Sequence, residues 1–421
     1  MNLYFWILRL AALFGHRKAK KLVKGQGRAI AELKAWRAAN VGLPVLWIHV
    51  SSVGEFEQAR PIIERLRQEL PFRKILLTFF SPSGYELRKN YNLVDKVLYL
   101  PFATSRNAKK WLEVLAPEMA VFVKYEFWPA YIKALKKREI PTYLVSAIFR
   151  PKQLFFLPWG KGYLRLLYAF KHIFVQQKNL HYADFLLFKN YRSSSLNFLR
   201  EHGIEWVSVA GDTRFDRVLE VQNSAKELPI LEHFVGESQH VIVAGSTWPE
   251  EEQMLAQYIA EHEDVRLVLA PHEIHEDHLH HIFQFFEGRY VRYTEATPIN
   301  VQKCRVLVVD TIGLLSSIYR YGQVAYIGGG FGAGIHNTLE AAVYGIPVVF
   351  GPKWQKFREA RGLLDAGAAF SVNNYNQFSA ALDEAFVRKE EMGDAAAEYV
   401  AKESGASKII YDALFNNTTS L

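Results

Sequence analysis

The sequence predicts an α/β protein with two Rossmann-like halves, each built on a mostly parallel sheet. Short apolar strands alternate with amphipathic helices along most of the chain, which is the pattern of βαβ units. A strand, a glycine-rich turn, a short helix and a second strand follow one another within 326–352. A polar, weakly patterned stretch at 218–240 separates the two series of elements. A chain of 421 residues, half of them hydrophobic, can form the cores of two or three domains.

Composition limits the classes of partner and of site. The formal net charge of +8 suits an anionic partner, such as a nucleic acid, phospholipid headgroups or a phosphorylated substrate. No zinc-finger or RNA-recognition signature is present, so we expect no nucleic-acid partner. The single cysteine, Cys304, excludes a disulfide framework and a cysteine-based metal site. Histidines at 272, 275, 278, 280 and 281 are more typical of a solvated helix face than of a metal site, so neither metal nor cofactor is expected.

The N-terminus combines an apolar run with a basic cluster. Residues 2–14 are apolar except for Arg9, and six cations follow: Arg17, Lys18, Lys20, Lys21, Lys24 and Arg28. The run is shorter than the roughly 20 residues of a membrane-spanning helix, and no cleavage site follows it. We predict a membrane-associated helix at 1–25 that dips into one leaflet. The alternative is a helix docked on its own domain.

The first half, 26–220, places two carboxylates after predicted strands. Predicted strands are 45–50, 74–79, 96–100, 119–123, 142–145, 172–175 and 205–209. Glu55 lies where the first strand passes into a helix, and Glu126 follows the strand at 119–123. Open α/β sheets place their chemistry at such carboxyl ends. For Glu55 the alternative is a first-turn residue that complements the helix dipole. The aromatic stretch 150–168 is either core or a membrane-facing patch.

After a linker at 221–239, the second half, 240–395, repeats the pattern, and a helical segment at 396–421 ends the chain. Predicted strands are 240–244, 265–270, 306–309, 324–327 and 347–350, and predicted helices are 250–262, 338–344, 378–400 and 408–414. The polar residues Ser246, His272 and Asp310 follow three of these strands. The two halves therefore predict a crevice with Glu55 and Glu126 on one wall and the polar groups of the second half on the other.

The glycine-rich turn is the strongest candidate for a ligand site in the second half. Gly328, Gly329 and Gly330 follow a strand directly, and glycine lets a ligand approach the backbone closely. Asn337 is a plausible N-cap of the short helix, where free N–H groups favour an anion. A carboxylate at Glu340 could accept hydrogen bonds from two ribose hydroxyls. The alternative is a tight structural turn, since the spacing is not GxGxxG.

With these residues in hand, the chain resembles the Kdo (3-deoxy-D-manno-octulosonic acid) transferases of Gram-negative bacteria. Six family motifs occur in order over nearly the whole chain. SVGE lies in WIHVSSVGE, ending at Glu55; ETELWP occurs as KYEFWP (124–129); and GNxKFD occurs as GDTRFD (211–216). AGSTHxGEE occurs as AGSTWPEEE (244–252), GDTMGEL as VDTIGLL (309–315), and GGHNPLEPA as GIHNTLEAA (334–342).

The resemblance implies a GT-B fold and an inverting glycosyl transfer from CMP-Kdo to a lipid A precursor on the cytoplasmic face of the inner membrane. Glu55 is then the general base, and Glu126 and Arg214 assist the transition state. The remaining implied site residues bind CMP and the donor sugar: Ser246, Pro271, His272, Asp310, Ile312, Gly313, Leu314, Gly330, His336, Asn337, Thr338, Leu339 and Glu340.

Departures from the motifs indicate a divergent branch of the family. Lys124 replaces the first glutamate of ETELWP, and Arg214 replaces a lysine while keeping its charge. The arginine of the family's APRH is lost, so only a protonated His272 would supply a cation there. Leu314 and Thr338 replace a glutamate and a proline.

Two other functions compete with this interpretation. Another GT-B enzyme, using a different nucleotide-sugar donor or acting as an epimerase, would share the glycine turn and the late glutamate. A non-catalytic nucleotide- or membrane-binding module would not need intact Glu55, Glu126 and Arg214.

Overall fold

The computed structural model describes residues 2–150, 153–176, 195–286 and 288–416. The chain divides into two compact units, one comprising Met1–Arg217 with Ser404–Leu421 and the other comprising Val218–Glu403. The break after Arg217 lies near the boundary expected at 220, whereas the second unit extends beyond 395 to Glu403. The segments 1–25 and 404–421, which were expected to stand apart, belong to the first unit.

The first unit contains a seven-stranded parallel sheet in the order β3-β2-β1-β4-β5-β6-β7. The strands are β1 (Val45–Val50), β2 (Lys74–Phe79), β3 (Lys96–Tyr99), β4 (Met119–Val123), β5 (Thr142–Ala147), β6 (His172–Val175) and β7 (Val207–Val209). The helices are α1 (Asn2–Leu13), α2 (Arg17–Ala38), α3 (Val53–Glu69), α4 (Pro82–Arg88), α5 (Ser105–Leu115), α6 (Pro129–Lys137), α7 (Lys161–Leu167) and α8 (Ser195–Glu201), with 3₁₀ turns at Leu154–Phe156 and Pro158–Gly160. Helix α9 (Thr213–Asn223) contains the boundary between the units.

Helices cover both faces of this sheet. All six residues of β1 are buried, as expected for a central strand of a parallel sheet. Successive residues alternate between the faces, so Trp47 packs with α2, α5 and α6, while Leu46 and Ile48 pack with α3. The strand order reverses between β1 and β4, which places their carboxyl ends side by side.

The second unit contains another seven-stranded parallel sheet, in the order β10-β11-β9-β8-β12-β13-β14. Its strands are β8 (Val241–Thr247), β9 (Arg266–Pro271), β10 (Tyr290–Arg292), β11 (Val306–Val308), β12 (Val324–Ile327), β13 (Val348–Phe350) and β14 (Ala369–Ser371). Its helices are α10 (Pro229–Val235), α11 (Pro249–Glu261), α12 (Glu276–Phe285), α13 (Leu315–Ile318), α14 (Leu339–Ala342), α15 (Arg358–Asp365), α16 (Tyr375–Val387) and α17 (Lys389–Glu403), with 3₁₀ turns at Tyr293–Glu295, Val301–Lys303 and Tyr319–Tyr321. Here the order reverses between β8 and β12.

Several predicted boundaries differ from the structure. The stretch expected to be a linker contains α10, which begins at Pro229 and buries Leu231 and Phe234. The three-residue strands β10 and β14 are too short to produce a clear alternation and were not expected. The helix expected at 378–400 is two helices, which meet at Arg388. The helix expected at 338–344 contains only the four residues of α14.

The single helix expected at 1–25 is two helices, α1 and α2, and they differ in how much surface they bury. Helix α2 carries most of the basic cluster outward and buries Leu22, Ala29 and Leu33 in the core of the first unit. Helix α1 contacts α2, but Leu13 and the following Phe14 are 81% and 86% exposed. Within the described residues, none of the helices combines the length and the apolar character needed to cross a membrane.

The aromatic stretch near residue 155 contributes both to the core and to the surface. Phe155 is buried and contacts the rings of Phe127 and Phe149. Leu154 and Trp159 are exposed. The stretch is therefore core on one side, and the expectation of a membrane-facing patch applies only to its exposed residues.

The chain ends on the first unit. Helix α18 (Ala406–Tyr411), followed by a π-helical turn at Asp412–Asn416, packs against α3. The Asp216 carboxylate accepts hydrogen bonds from the Gly405 N–H at 2.9 Å and the Ser407 N–H at 3.3 Å. The last acidic residue of the GDTRFD motif therefore caps this helix.

We expect Asp216→Ala to loosen α18, because its first N–H groups lose their acceptor. The loss of such a cap costs about 1 kcal/mol. Thermal unfolding should begin earlier, and hydrogen exchange should accelerate at residues 405–411. The matched control is Asp394→Ala, which removes an exposed carboxylate from α17. Unchanged exchange at 405–411 in Asp216→Ala would show that the cap does not hold the helix.

Candidate active site

The carboxyl end of β1 presents Glu55 on the first turn of α3. Its Oε2 accepts hydrogen bonds from the Ser51 N–H at 2.5 Å and the Ser52 N–H at 3.3 Å. The Ser52 side chain in turn accepts from the Glu55 N–H, which completes a capping box. Glu55 therefore has the structural role that its position at a helix start suggested. The capping box also holds its carboxylate in one orientation.

The environment of Glu55 shifts its pKa strongly upward. Burial disfavours the ionised carboxylate, and the negative charge of Glu126 adds to this effect. The hydrogen bonds from Ser51 and Ser52, together with the positive charge of Lys124, oppose it. The net result is a pKa of about 7. A carboxylate with such a pKa can accept a proton near neutral pH and hold it.

Glu126 lies beside Glu55 after the carboxyl end of β4. Its Oε2 accepts hydrogen bonds from His49 Nε2 at 3.0 Å and from Trp128 Nε1 at 2.5 Å. The side chain is buried. The switch in strand order thus brings together two carboxylates that lie 71 positions apart in the sequence.

Arg214 is held by a neighbouring carboxylate. Its Nε and one terminal nitrogen donate to Asp212 Oδ2 at 3.0 and 2.8 Å. Asp212 is almost fully buried, whereas about 30% of the Arg214 side chain is exposed. The family motif has asparagine and lysine at these two positions, so both departures form one ion pair. Because residues 212 and 214 both differ from the motif, the sequence offered a signal for this ion pair, but the two differences were not connected.

The loop that carries Arg214 is attached to the helix of Glu55. The Thr213 hydroxyl donates to the Gln58 carbonyl oxygen at 2.6 Å, and the Gln58 side-chain amide approaches Asp212 at 3.4 Å. Glu55, Glu126 and Arg214 therefore belong to one unit, in which hydrogen bonds tie their supporting segments together.

The glycine-rich turn of the second unit packs backbone against backbone. A Cβ on Gly328 would lie 2.2 Å from the Ser246 carbonyl oxygen, and one on Gly330 would lie 2.5 Å from the Gly351 Cα. Buried Glu251 accepts hydrogen bonds from the Gly329 N–H at 2.9 Å and the Trp248 N–H at 3.0 Å. The glycines are thus required by the structure itself, as the alternative interpretation held. The support from Glu251 was not predicted from the sequence.

Both switch points contain a non-glycine residue in the left-handed region. Lys124 follows β4 with a φ of 62°, and Ser246 lies near the end of β8 with a φ of 56°. Such residues cost about 1–3 kcal/mol and cluster at functional sites. The strain coincides with the two positions that the strand order marks as ligand sites.

His272 is part of a stack of three rings near the glycine turn. Its ring lies 4.9 Å from that of Trp248 and 4.5 Å from that of His336. Burial and the neighbouring His272 lower the pKa of His336, which favours its neutral form. Pro271, which precedes His272, is buried at the end of β9. Because Trp248 replaces a histidine of the family motif, this stack is a feature of the present sequence.

The residues after the glycine turn organise a short helix. Asn337 accepts a hydrogen bond from the Leu339 N–H at 3.2 Å and donates to Glu340 at 2.9 Å. Thr338 and Leu339 are fully buried, so their side chains support the turn. Asn337 and Glu340 are partly exposed and therefore remain candidates for contact with a ligand.

The loop after β11 divides into a buried anchor and an exposed tip. The Asp310 carboxylate accepts from Arg292 Nε at 3.0 Å and from the Thr294 hydroxyl at 2.5 Å. These bonds lower its pKa despite its burial. Ile312 is 88% exposed, and Gly313 turns the chain with a φ of 91° before Leu314. Ligand binding by these residues stays a prediction.

The histidine-rich helix does not contain a metal-binding arrangement in the described part of the chain. His278 instead lies 2.9 Å from the buried Glu252, and its other ring nitrogen lies 2.8 Å from the Glu273 carbonyl oxygen. Across the described ranges, no group of three or more His, Cys, Asp or Glu side chains is arranged to hold a metal ion.

Comparison with solved structures defines the class of fold. The chain matches a UDP-GlcNAc 2-epimerase from Neisseria meningitidis with a TM-score of 0.59 at 16% identity, covering 89% of this chain and 100% of that one. A putative UDP-N-acetylglucosamine 2-epimerase from Listeria monocytogenes matches with a TM-score of 0.57 at 14% identity, covering 90% and 97%. At this identity the likeness concerns the fold, which is of the GT-B type.

The sequence is similar to that of known glycosyltransferases. Residues 24–217 match the family described as 3-deoxy-D-manno-octulosonic-acid transferase (kdotransferase). A 3-deoxy-D-manno-octulosonic acid transferase from Aquifex aeolicus is 27% identical over 356 residues, covering 82% of this chain and 87% of that protein. One from Bordetella pertussis is 26% identical over 438 residues, covering 98% and 95%. The chain is a glycosyltransferase that is similar over most of its length to Kdo transferases of lipopolysaccharide biosynthesis.

Replacing Lys124 with glutamine should raise the pKa of Glu55 further, because the substitution removes a positive charge that lowers it. The measurement is a carboxyl carbon NMR titration, with the Glu55 resonance assigned from Glu55→Gln. Lys109→Gln, an exposed substitution on α5, is the matched control and should leave the titration unchanged. A lower pKa in Lys124→Gln would contradict the electrostatic account of this site.

Proposed function

We propose that this glycosyltransferase transfers Kdo from CMP-Kdo to a lipid A precursor, with inversion of the anomeric centre and Glu55 as general base. The observation that carries the proposal is a carboxylate with a pKa of about 7, oriented by its capping box at the switch point of the first sheet. The relatives are named as transferases of 3-deoxy-D-manno-octulosonic acid, which indicates the sugar that is transferred. The environment of Glu55 makes its carboxylate suited to deprotonate the acceptor hydroxyl.

The proposed reaction is a single in-line displacement. Glu55 takes the proton from an acceptor hydroxyl as that oxygen forms a bond to the anomeric carbon of Kdo. The bond between this carbon and the phosphate oxygen breaks, and CMP leaves with the electron pair. The proton remains on Glu55 until it passes to water. Because one base serves one displacement, the anomeric configuration inverts.

Glu126 and Arg214 have separate supporting roles. The negative charge of Glu126 helps to keep the pKa of Glu55 high, which makes Glu55 a stronger base. Arg214 provides a fixed cation for the phosphate of the departing CMP. Its ion pair with Asp212 limits the range of guanidinium positions while part of the side chain stays exposed. A guanidinium that is held in one place is better suited to stabilise the charge that develops on the departing phosphate than to attract anions in general.

The second unit is the proposed donor-binding unit. Glu340 accepts the ribose hydroxyls, and the Ile312-Gly313-Leu314 tip contacts the nucleotide together with Ser246, His336 and Asn337. Asp310, Thr338 and Leu339 are buried and hold these segments in place. His272 follows Pro271 at the place where the family motif has an arginine, and it contacts the nucleotide there. Support comes from the partial exposure of Asn337 and Glu340 and from the strained backbone at Ser246.

We further propose that the first unit binds the cytoplasmic face of the inner membrane through α1 and α2. Support comes from the exposed Leu13 and Phe14 and from the outward-facing cations of α2. Apolar side chains that enter the headgroup region and cations that contact anionic lipids act together in such surface binding. A lipid acceptor would then remain in its own leaflet during the reaction.

Replacing Glu55 with glutamine should reduce kcat for Kdo transfer about 10²- to 10⁴-fold, the usual contribution of a general base. The assay combines purified protein, CMP-Kdo and a tetraacylated lipid A precursor, and it records CMP release and the mass gained by the lipid. For the wild type, kcat/KM should fall about tenfold per pH unit below pH 7, because Glu55 becomes protonated there.

The controls for this assay separate the base from the fold. Glu69→Gln removes an exposed carboxylate at the far end of the same helix and should retain activity. Parallel incubation with UDP-GlcNAc tests the epimerase alternative. Absence of transfer by the wild type would refute the donor or acceptor assignment, whereas full activity of Glu55→Gln would refute only the role of the base.

Membrane binding gives a second prediction for this proposal. Leu13→Glu with Phe14→Glu should weaken binding to phosphatidylglycerol-containing vesicles by more than tenfold, since each apolar side chain contributes about 2 kcal/mol when it leaves water. Vesicle cosedimentation measures the loss, and added salt should weaken wild-type binding. Phe72→Glu, a change at an equally exposed aromatic residue before β2, should bind as the wild type does. Equal loss in both variants would refute a specific role of α1.

A further inference from the structure

Behind Glu126 lies a histidine that sequence analysis did not assign to the site. His49 is fully buried on β1, directly beside Thr78 of β2 and Phe122 of β4 in the sheet register. Its Nε2 lies 3.0 Å from Glu126 Oε2, and its Nδ1 lies 2.9 Å from the Thr78 hydroxyl oxygen. One side chain therefore bridges the Glu126 carboxylate and the neighbouring strand.

The protons that each group can carry determine which group donates and which accepts in these hydrogen bonds. An ionised carboxylate can only accept, so Nε2 must carry the proton that it shares with Glu126. Thr78 already accepts from Trp47 Nε1 at 2.9 Å, and its own hydrogen can point to His49 Nδ1 or to the Ile48 carbonyl oxygen. The Thr78 hydroxyl can therefore donate to Nδ1 when that nitrogen carries no proton, or accept from it when it carries one. Nε2 is a donor in both cases.

The surroundings of His49 leave it few alternative positions. The rings of Phe122 and Trp128 lie edge-on to its ring, at 5.6 and 6.2 Å between centroids. Trp128 also donates to the same Glu126 oxygen, so the carboxylate is held from two directions. A buried carboxylate that loses a donor moves toward other donors, because a buried polar group without a hydrogen-bond partner is costly.

We propose that His49 is a positioning residue for the transfer reaction, holding the Glu126 carboxylate in one orientation beside Glu55. This inference rests on the proposed function, in which Glu55 is the base and Glu126 assists it. A hydrogen bond to a charged group commonly contributes about 10- to 100-fold. The charged groups around the pair are Glu126 and Lys124 after β4 and Glu55 on α3.

The first test compares two replacements of His49. His49→Gln keeps an N–H group near the position of Nε2, whereas His49→Phe keeps a ring without a donor. We expect kcat to fall by about 10²-fold in His49→Phe, which loses a hydrogen bond to a charged group, and to stay within about tenfold of the wild type in His49→Gln. KM for both substrates should change little, because His49 does not contact them. The pH dependence of kcat/KM should shift in His49→Phe, since the Glu126 carboxylate, whose charge raises the pKa of Glu55, changes its position.

The matched control is His172→Gln, which replaces another buried histidine of the same sheet. His172 lies on β6 and approaches the Ser208 hydroxyl at 2.8 Å, away from the carboxylate pair. It should retain the activity and pH profile of the wild type. Equal losses in His49→Phe and His49→Gln without a shift in the pH profile would overturn the proposal, as would full activity in His49→Phe.

A spectroscopic measurement tests the contact itself and does not depend on transfer activity or on the folding of the His49 variants. In wild-type protein labelled with ¹⁵N-histidine, the His49 Nε2 proton should be observed far downfield, as expected for a hydrogen bond to a carboxylate. Glu126→Gln should move this signal upfield, with no change at His172. An unchanged signal would overturn the proposal even if Kdo transfer were established, and the predicted shift would support the contact even if the donor assignment failed.

Discussion

The reversal of strand order in each parallel sheet is the constraint on which the candidate site depends. In the first sheet the chain proceeds outward from β1 through β2 to β3 and then returns to place β4 on the other side of β1. The loops after β1 and β4 must therefore diverge to opposite faces, and the carboxyl ends between them remain accessible. Glu55 and Glu126 occupy these two loops, and the second unit repeats the arrangement with Ser246 and Gly328.

Once the two carboxylates lie side by side, electrostatics determines their chemistry. Burial and mutual repulsion disfavour two ionised groups, whereas the N–H donors of Ser51 and Ser52 and the charge of Lys124 favour ionisation of Glu55. Glu126 receives two side-chain donors, from His49 and Trp128, and Glu55 receives two backbone donors. This asymmetry gives the two carboxylates different environments, and it supports the assignment of different roles to them.

Structural and functional roles coincide at several of these residues. Glu55 closes a capping box, Asp216 of the GDTRFD motif holds α18, and the glycines of the turn are needed for close backbone packing. A motif match therefore does not show whether a residue is needed for catalysis or for folding. The distinction requires the local environment, which is why the raised pKa of Glu55 argues for function more directly than its place in a motif. Asp212 and Arg214 show the complementary case, in which two departures from a motif form one ion pair.

Periodicity and motif order determined the α/β class, most central strands and the positions of Glu55 and Glu126, because strand burial and turn chemistry are local properties. Local signals did not determine the short strands β10 and β14, the helix within the expected linker or the return of the last residues to the first unit. The tertiary structure alone decided that His49 bonds to Glu126, that Arg214 pairs with Asp212 and that Glu251 supports the glycine turn. These contacts join residues on different elements or depend on burial, and burial is established only when the sheets and helices pack together.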